Sequence, residues 1–357
     1  QMIDSYEETV ETASEEQNQK ARLSFITVLI MTIVLFILGT IGSLALSKKI
    51  VKPIELMTKN VKEISGKNFD FEMTEDYRTG DEIEVLAEAF TELNNRTKKY
   101  ISEITTITAE KERIGTELSL ANKIQSSMLP NVFPPFPERD EFDIYAMMIP
   151  AKEVGGDFYD FFLIDDDHLG LVIADVSGKG IPAALFMMMS KILMNDYTMM
   201  GNSPKEVLEK VNDIICSKNE QEMFVTVWLG ILTISEGILV ASNAGHEYPI
   251  FKRNGEPYEL IKDKHGFVIG GMEGMPYKEY DIQMNKGDVL FLYTDGVAEA
   301  TNINNELYGT ERLVDALNET KSDNPKEILR HVKDSVDVFV GKAPQFDDLT
   351  MMCIEIR

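Results

Sequence analysis

Apolar positions divide this chain into stretches of different period. From Leu23 to Ser47 twenty-five residues pass without a charge, most of them Ile, Leu, Val, Phe and Met. A helix needs about 20 such residues to span a bilayer, and the run is too long for the apolar core of a signal peptide. The segment before it carries Glu7, Glu8, Glu11, Glu15 and Glu16 and reads as a solvated helix. Lys48, Lys49, Lys52, Lys59 and Lys62 follow the span, whereas only Lys20 and Arg22 closely precede it. The positive-inside rule therefore puts the C-terminal side in the cytoplasm. The sequence opens on Gln1 rather than Met, so an upstream sensor segment and a further span are expected.

Beyond the span the apolar spacing changes to alternating fours and threes. Ile50, Ile54, Met57, Val61 and Ile64 form the seam of a coiled coil, with Pro53 tolerated in the first turn. Gly66 to Gly80 interrupts it, and Phe69, Phe71 and Met73 alternate there as in an extended connector. Asp81-Glu82 opens a second seam at Ile83, Leu86, Phe90 and Leu93, which continues at Tyr100, Ile104, Ile107, Ile114, Leu118 and Ala121 as a stalk to about Met128. Thr97 and Lys111 weaken that seam, and a stalk of this kind is suited to carrying a signal by shifting register. Pro130, Pro134, Pro135 and Pro137 end the helix. Helix, connector, Asp-Glu, helix, directly after a membrane span, resembles a HAMP domain, which implies a parallel four-helix bundle formed by a homodimer. The expected organisation is an extracytoplasmic segment (1–22), a transmembrane helix (23–47), a HAMP domain (48–98), a coiled-coil linker (99–129) and a globular domain (130–357).

In that last part, strand-like and helix-like runs mix. Phe142–Ile149 reads as a first strand, and Ile181–Met194 as a Met-rich helix apolar enough to be buried. Ser203-Pro-Lys-Glu206 is a capping box opening a helix. Strands are expected at Phe224–Leu232 and Ile238–Ser242, then a hairpin from Tyr248 to Ile261 with a type I′ signal at Asn254-Gly255. Val289–Thr294 reads as a buried strand, and helices are expected at 309–318 and 326–339, the latter capped by Asn324-Pro325. Strands flanked by long helices predict a layered α/β (α+β) sandwich.

Candidate chemistry gathers at strand ends. Asp157 precedes the apolar run Phe161–Ile164, and Asp175 follows Leu169–Ala174; the polar turn Asp165–His168 joins the two runs. A hairpin of this kind brings Asp157 and Asp175 together at one sheet end, and Gly155, Gly156 and Gly178 permit close backbone approach. Two carboxylates at close range raise one pKa or hold a hard cation. Read alone, the stretch equally fits two turn aspartates that never meet. Asp295-Gly296 after the Val289–Thr294 strand, and Asp347-Asp348 before Leu349–Ile354, add further acidic strand ends. Sixty acidic against thirty-five basic residues, a net charge of −25, argue against a general nucleic-acid binder. Cys216 and Cys353 form no metal or redox motif, and the four histidines show no ligand spacing.

The order Glu153-Val-Gly-Gly-Asp-Phe-Tyr-Asp160, Ala174-Asp-Val-Ser-Gly-Lys-Gly180, Asn243-Ala-Gly-His246, Tyr293-Thr-Asp-Gly-Val-Ala-Glu-Ala300 and Asp347-Asp-Leu-Thr350 resembles the SpoIIE/RsbU branch of the metal-dependent PPM serine/threonine phosphatases, over about residues 118–357. The resemblance implies two central antiparallel sheets with helices on both outer faces. It implies two or more Mn²⁺ or Mg²⁺ ions held by Asp157, Asp175, Asp295, Asp347 and the backbone carbonyl of Val176, and hydrolysis by a hydroxide bridging two of them. Asp347 rather than Asp348 is the expected ligand, with Glu153, Asp160, Asp348 and Glu299 around the ligand set. His246 is expected to be structural, with a general-acid role as the alternative. The arginine that eukaryotic relatives use to hold phosphate has no counterpart; Lys152 is the nearest basic residue. The implied substrate is a phosphorylated anti-anti-sigma (STAS) protein, the implied location the cytoplasmic face of a bacterial membrane. The competing reading is a non-enzymatic HAMP transducer whose C-terminal domain binds a partner without hydrolysis; intact aspartates at every expected ligand position weigh against it.

Overall fold

The computed structural model describes residues 2–63, 71 and 73–357. The chain divides into two compact units, Gln1–Glu112 and Arg113–Arg357.

In the first unit, helix α1 (Met2–Leu46) passes through a single π-helical turn (Ser47–Val51) into α2 (Lys52–Glu63). The stretch of α1 expected to be a membrane span is long and apolar enough to cross a membrane, and its apolar side chains lie exposed on every face. α3 (Glu82–Met128) runs without a break through residues 98–99, where the sequence suggested the passage from HAMP to stalk. Its start is fixed by Asp81, whose carboxylate accepts from the Ile83 N–H at 3.0 Å. Ile64 and the Gly66–Phe69 part of the connector lie outside the described residues. Phe71 and Tyr77 are buried with Met57 and Ala87, and Phe71 stacks edge-on against Phe90 at 4.8 Å. The connector thus supplies a small core of its own, while the seam residues Leu86, Leu93, Ile104 and Ile107 remain exposed in the single chain.

The second unit is a sandwich of two five-stranded antiparallel sheets. Its strands are β1 (Phe142–Ile149), β2 (Phe158–Leu163), β3 (His168–Val176), β4 (Val225–Thr233), β5 (Ile238–Ala244), β6 (Ile250–Lys252), β7 (Tyr258–Leu260), β8 (Glu279–Gln283), β9 (Val289–Tyr293) and β10 (Leu349–Ile356). One sheet has the order β1-β10-β9-β6-β7, the other β2-β3-β4-β5-β8. Helices α4 (Ile181–Met199) and α5 (Pro204–Cys216) pack on the second sheet, α7 (Gly309–Glu319) and α8 (Pro325–Val340) on the first, with the one-turn α6 (Asp295–Ala298) after β9. This is the layering that the sequence pattern and the family resemblance predicted.

Strand alternation accounts for the layers. In β10, Met352 and Ile354 enter the core between the sheets, while Met351 and Cys353 meet Leu313, Ile328 and Val332 of the helices. With both faces covered, these strands read as continuous apolar runs. The capping box at Ser203 is present, and the Asn324 side chain accepts from the Lys326 and Glu327 N–H groups.

α4 is buried against the sheet as expected, through Ala183, Met187 and Met194, while Ile181, Leu185 and Ile192 on its other face are exposed. One expectation needs correction. The β6–β7 hairpin has a five-residue loop, 253–257, rather than a two-residue type I′ turn. Only Gly255 takes a left-handed φ (84°), within a turn closed by Glu256 N–H to the Arg253 carbonyl at 2.9 Å.

Candidate metal centre

Both sheets contribute to one end of the sandwich. Phe158 pairs with Ala174 in the β2–β3 register, so Asp157 and Asp175, one step further along each strand, become neighbours. Their carboxyl groups are within hydrogen-bonding reach of each other. In the other sheet Met351 pairs with Tyr293, and the Thr294 N–H donates to the Thr350 carbonyl at 3.1 Å. That pairing brings Asp295, at the start of α6, beside Asp347 and Asp348 at the start of β10.

Asp157 is buried, and its Oδ2 accepts from the hydroxyls of Thr294 at 2.7 Å and Thr350 at 2.6 Å. Burial, then the charges of Asp175 and Asp348, hold its pKa well above the usual carboxylate range in spite of those hydroxyls. Asp175 is pushed up to about 7 by burial and then by Asp295, with Asp347 and Asp348 adding to the rise. Asp295 is pushed up to about 6 by burial, then by Asp347, Glu299 and Glu247. The aspartates therefore feel one another across the sheets with too little positive charge among them. Lys179 supplies some: its ammonium lies 2.9 Å from Asp347 Oδ2, also donates to the Phe346 carbonyl and sits over the Phe346 ring.

Asp348 does different work from Asp347. Its Oδ1 accepts from the Ala151 N–H at 2.7 Å and its Oδ2 from the Gly156 N–H at 2.6 Å, so both oxygens hold the loop that presents Asp157. Gln125 grips the same loop from the other side. Its amide nitrogen donates to the Gly155 carbonyl at 2.6 Å, and its amide oxygen accepts from the Gly155 N–H at 3.1 Å.

Glycine matters here for space. A Cβ on Gly296 would lie 1.8 Å from the Asp348 carbonyl oxygen, and one on Gly155 would lie 2.6 Å from Asp348 Oδ2. A Cβ on Gly156 would sit 3.0 Å from the Val176 carbonyl oxygen, which puts that carbonyl against the Asp157 loop. Gly178 was expected to serve close approach as well; it has open space and is instead required for its left-handed φ of 85°.

The other acidic residues named from the sequence are placed apart from one another. Asp160 is buried in an ion pair with Lys191 of α4 at 2.5 Å. Glu153 is exposed, and only its backbone carbonyl is engaged, by Asn122. Glu299 is exposed next to Asp295. His246 is buried, its Nδ1 2.9 Å from the Thr226 hydroxyl, and burial pushes its pKa down to about 3. The Asn243 side chain closes the Asn-Ala-Gly-His turn, accepting from the His246 N–H at 2.8 Å and donating to its carbonyl at 3.1 Å. Burial thus favours the neutral imidazole at His246.

Sequence reasoning missed Gln125, Thr294, Thr350 and Lys179. The last three lay inside quoted motifs, and polar residues at buried motif positions were the available signal. Gln125 gave none, since a glutamine near a helix end is ordinary.

The residues present suit a hard cation in kind: oxygen donors alone, with burial and then neighbouring carboxylates raising the pKa values of Asp157, Asp175 and Asp295. Among the described residues no three His, Cys, Asp or Glu side chains already converge to ligating distance.

Residues 165–357 match the family of Stage II sporulation protein E (SpoIIE). Protein IcfG of Synechocystis is 31% identical over 333 residues, covering 85% of this chain; the chain spans 51% of that protein. Phosphoserine phosphatase RsbU of Bacillus subtilis is 30% identical over 233 residues, covering 65% of this chain and 68% of RsbU. Among solved structures, the SiaA-PP2C domain of Pseudomonas aeruginosa superposes with a TM-score of 0.61 at 21% identity, covering 70% of this chain and 99% of that domain, a likeness of fold.

Proposed function

The chain belongs to the SpoIIE family of PP2C-type serine/threonine phosphatases, and on that premise we propose that it is a membrane-anchored phosphatase that hydrolyses phosphoserine or phosphothreonine with divalent metals. The observation that carries the reading is the gathering of Asp157, Asp175, Asp295 and Asp347 from two sheets, where burial and then neighbouring carboxylates raise the pKa values of Asp157, Asp175 and Asp295.

Asp157, Asp175, Asp295, Asp347 and the Val176 carbonyl would hold two or more Mn²⁺ or Mg²⁺ ions. Such a pair, when bound, supplies a nucleophile near neutral pH and neutralises charge on the phosphoryl oxygens. The rest of the chemistry falls to the fold. Thr294 and Thr350 fix the Asp157 carboxylate; Asp348 and Gln125 fix the backbone on either side of it. Burial pushes both the Cys216 and the Cys353 thiols above the ordinary thiol range, which disfavours the thiolate a cysteine nucleophile needs.

The apolar span in α1 and the lysines after it support anchoring, with the phosphatase unit in the cytoplasm. The exposed seam of α3 supports a homodimer through the HAMP-like helices and stalk. The relative named as a phosphoserine phosphatase supports a phosphoserine protein as substrate, and the family resemblance points to a STAS-type anti-anti-sigma protein.

The test is phosphate release by the full chain from a phosphorylated STAS protein and from nucleotides, with Mn²⁺, with Mg²⁺ and with EDTA. Metal-dependent release from the phosphoprotein alone, lost in Asp175→Asn, is the expected result. Metal binding without release would favour the non-enzymatic transducer.

A further inference from the structure

Beside the aspartates lies an apolar groove of about 610 Å³ between the loop after α6 and the loop before β10. Ile303, Leu307 and Phe346 line it and are 77%, 53% and 66% exposed. A narrower cavity of about 220 Å³ shares Thr301, Pro344 and Phe346 with the groove and reaches Gly296 and Asp347. The groove therefore shares a wall with a cavity that Gly296 and Asp347 line at the strand ends.

Both walls are pre-organised. In one, Thr301 bridges to Leu307, and the Asn302 side-chain oxygen accepts from the Asn304 N–H at 2.9 Å and the Glu306 N–H at 3.1 Å. In the other, the Gln345 amide donates at 2.8 Å to both the Ile149 and the Asp347 carbonyls. Lys179 joins that second wall to Asp347, touching the Phe346 carbonyl, the Phe346 ring and the Asp347 carboxylate together. A rigid apolar surface held open in water costs little ordering on binding. The Lys179 ammonium lies 2.9 Å from the Asp347 carboxylate and 4.1 Å from the centre of the Phe346 ring, so a group seated on that ring is one side chain away from a proposed ligand.

We propose that this groove is a substrate subsite that receives an apolar side chain within a few residues of the phosphoserine of a protein substrate. This rests on the phosphatase reading above. No arginine stands just before Asp157 to grip phosphate, so recognition falls to the polypeptide, and the groove is an apolar surface that shares a wall with the cavity at Asp347. One Leu-sized side chain removed from water there is worth about tenfold or more in kcat/KM.

The test uses the full chain with Mn²⁺ and phosphoserine nonapeptides on a serine-glycine background, a single leucine being moved from three residues before the phosphoserine to three after. p-Nitrophenyl phosphate serves as a substrate without a polypeptide. One leucine position should raise kcat/KM at least about tenfold. The double variant Ile303→Ser, Leu307→Ser, both at exposed positions, should abolish that gain and leave p-nitrophenyl phosphate turnover unchanged. Leu307→Met should retain most of it. The proposal is overturned if no position matters, if the preference survives the double variant, or if the variant instead shifts the sedimentation of the chain, which would make the groove a contact between copies. Absence of any metal-dependent turnover by the wild type would count against the phosphatase reading itself.

Discussion

Asp175 shows how one residue's environment becomes a measurable property. Its folded pKa of about 7 lies far above the roughly 3.9 of an unfolded aspartate. The folded protein therefore binds that proton more tightly, and the stability it contributes is complete below the unfolded value and lost as pH rises through about 7. In EDTA, the Tm of the wild type should fall between about pH 4 and pH 7 more steeply than that of Asp175→Asn. Parallel curves would mean the aspartate is not held as described. With metal bound, the same substitution should cut phosphate release by roughly 10²–10³-fold. His246, at about 3, stays neutral across the working range, so His246→Gln should leave the pH profile of kcat between pH 6 and 9 unmoved. The meeting of Asp157 and Asp175 was legible because hairpin arithmetic is local. The hold of Asp348 on the Asp157 loop was not, because it depends on amides of Ala151 and Gly156, almost two hundred residues earlier.

At the scale of elements, β1, β3, α5 and α8 were readable because period, caps and breakers agreed along each of them. The β6–β7 loop was not, since Asn254-Gly255 marks a turn without fixing how many residues the strands leave unpaired. Nor was the exposed face of α4, where composition hides direction. The junction of α6 with β10 has no slack: Gly296→Ala would drive a methyl into the Asp348 carbonyl and should cost about 3 kcal/mol, read as a lowered urea midpoint. Gln125 links the end of α3 to the Asp157 loop through two buried hydrogen bonds. Gln125→Ala would strand the Gly155 amide and carbonyl, and the expected loss is about 1–3 kcal/mol in the same measurement.

Across the whole molecule, a long apolar helix, the helices α2 and α3 and a sandwich of the SpoIIE family follow one another along the chain. The change in apolar period, from unbroken to heptad to mixed, marked these stretches in the sequence. The uninterrupted α3 was less plain, because Thr97 and Lys111 suggested weak points that a 47-residue helix absorbs. The proposed homodimer makes the exposed seam testable: Ile104→Asp should weaken self-association by roughly 2 kcal/mol per chain, measured by sedimentation in detergent. The central claim is that aspartates from two sheets form one metal centre. Its most direct test is calorimetric titration of Mn²⁺ into the full chain, beside Asp157→Asn and Asp295→Asn, one substitution from each sheet. The account predicts binding by the wild type that either substitution abolishes or weakens at least tenfold, since both sheets contribute donors to one centre. Equal binding by all three proteins would contradict it.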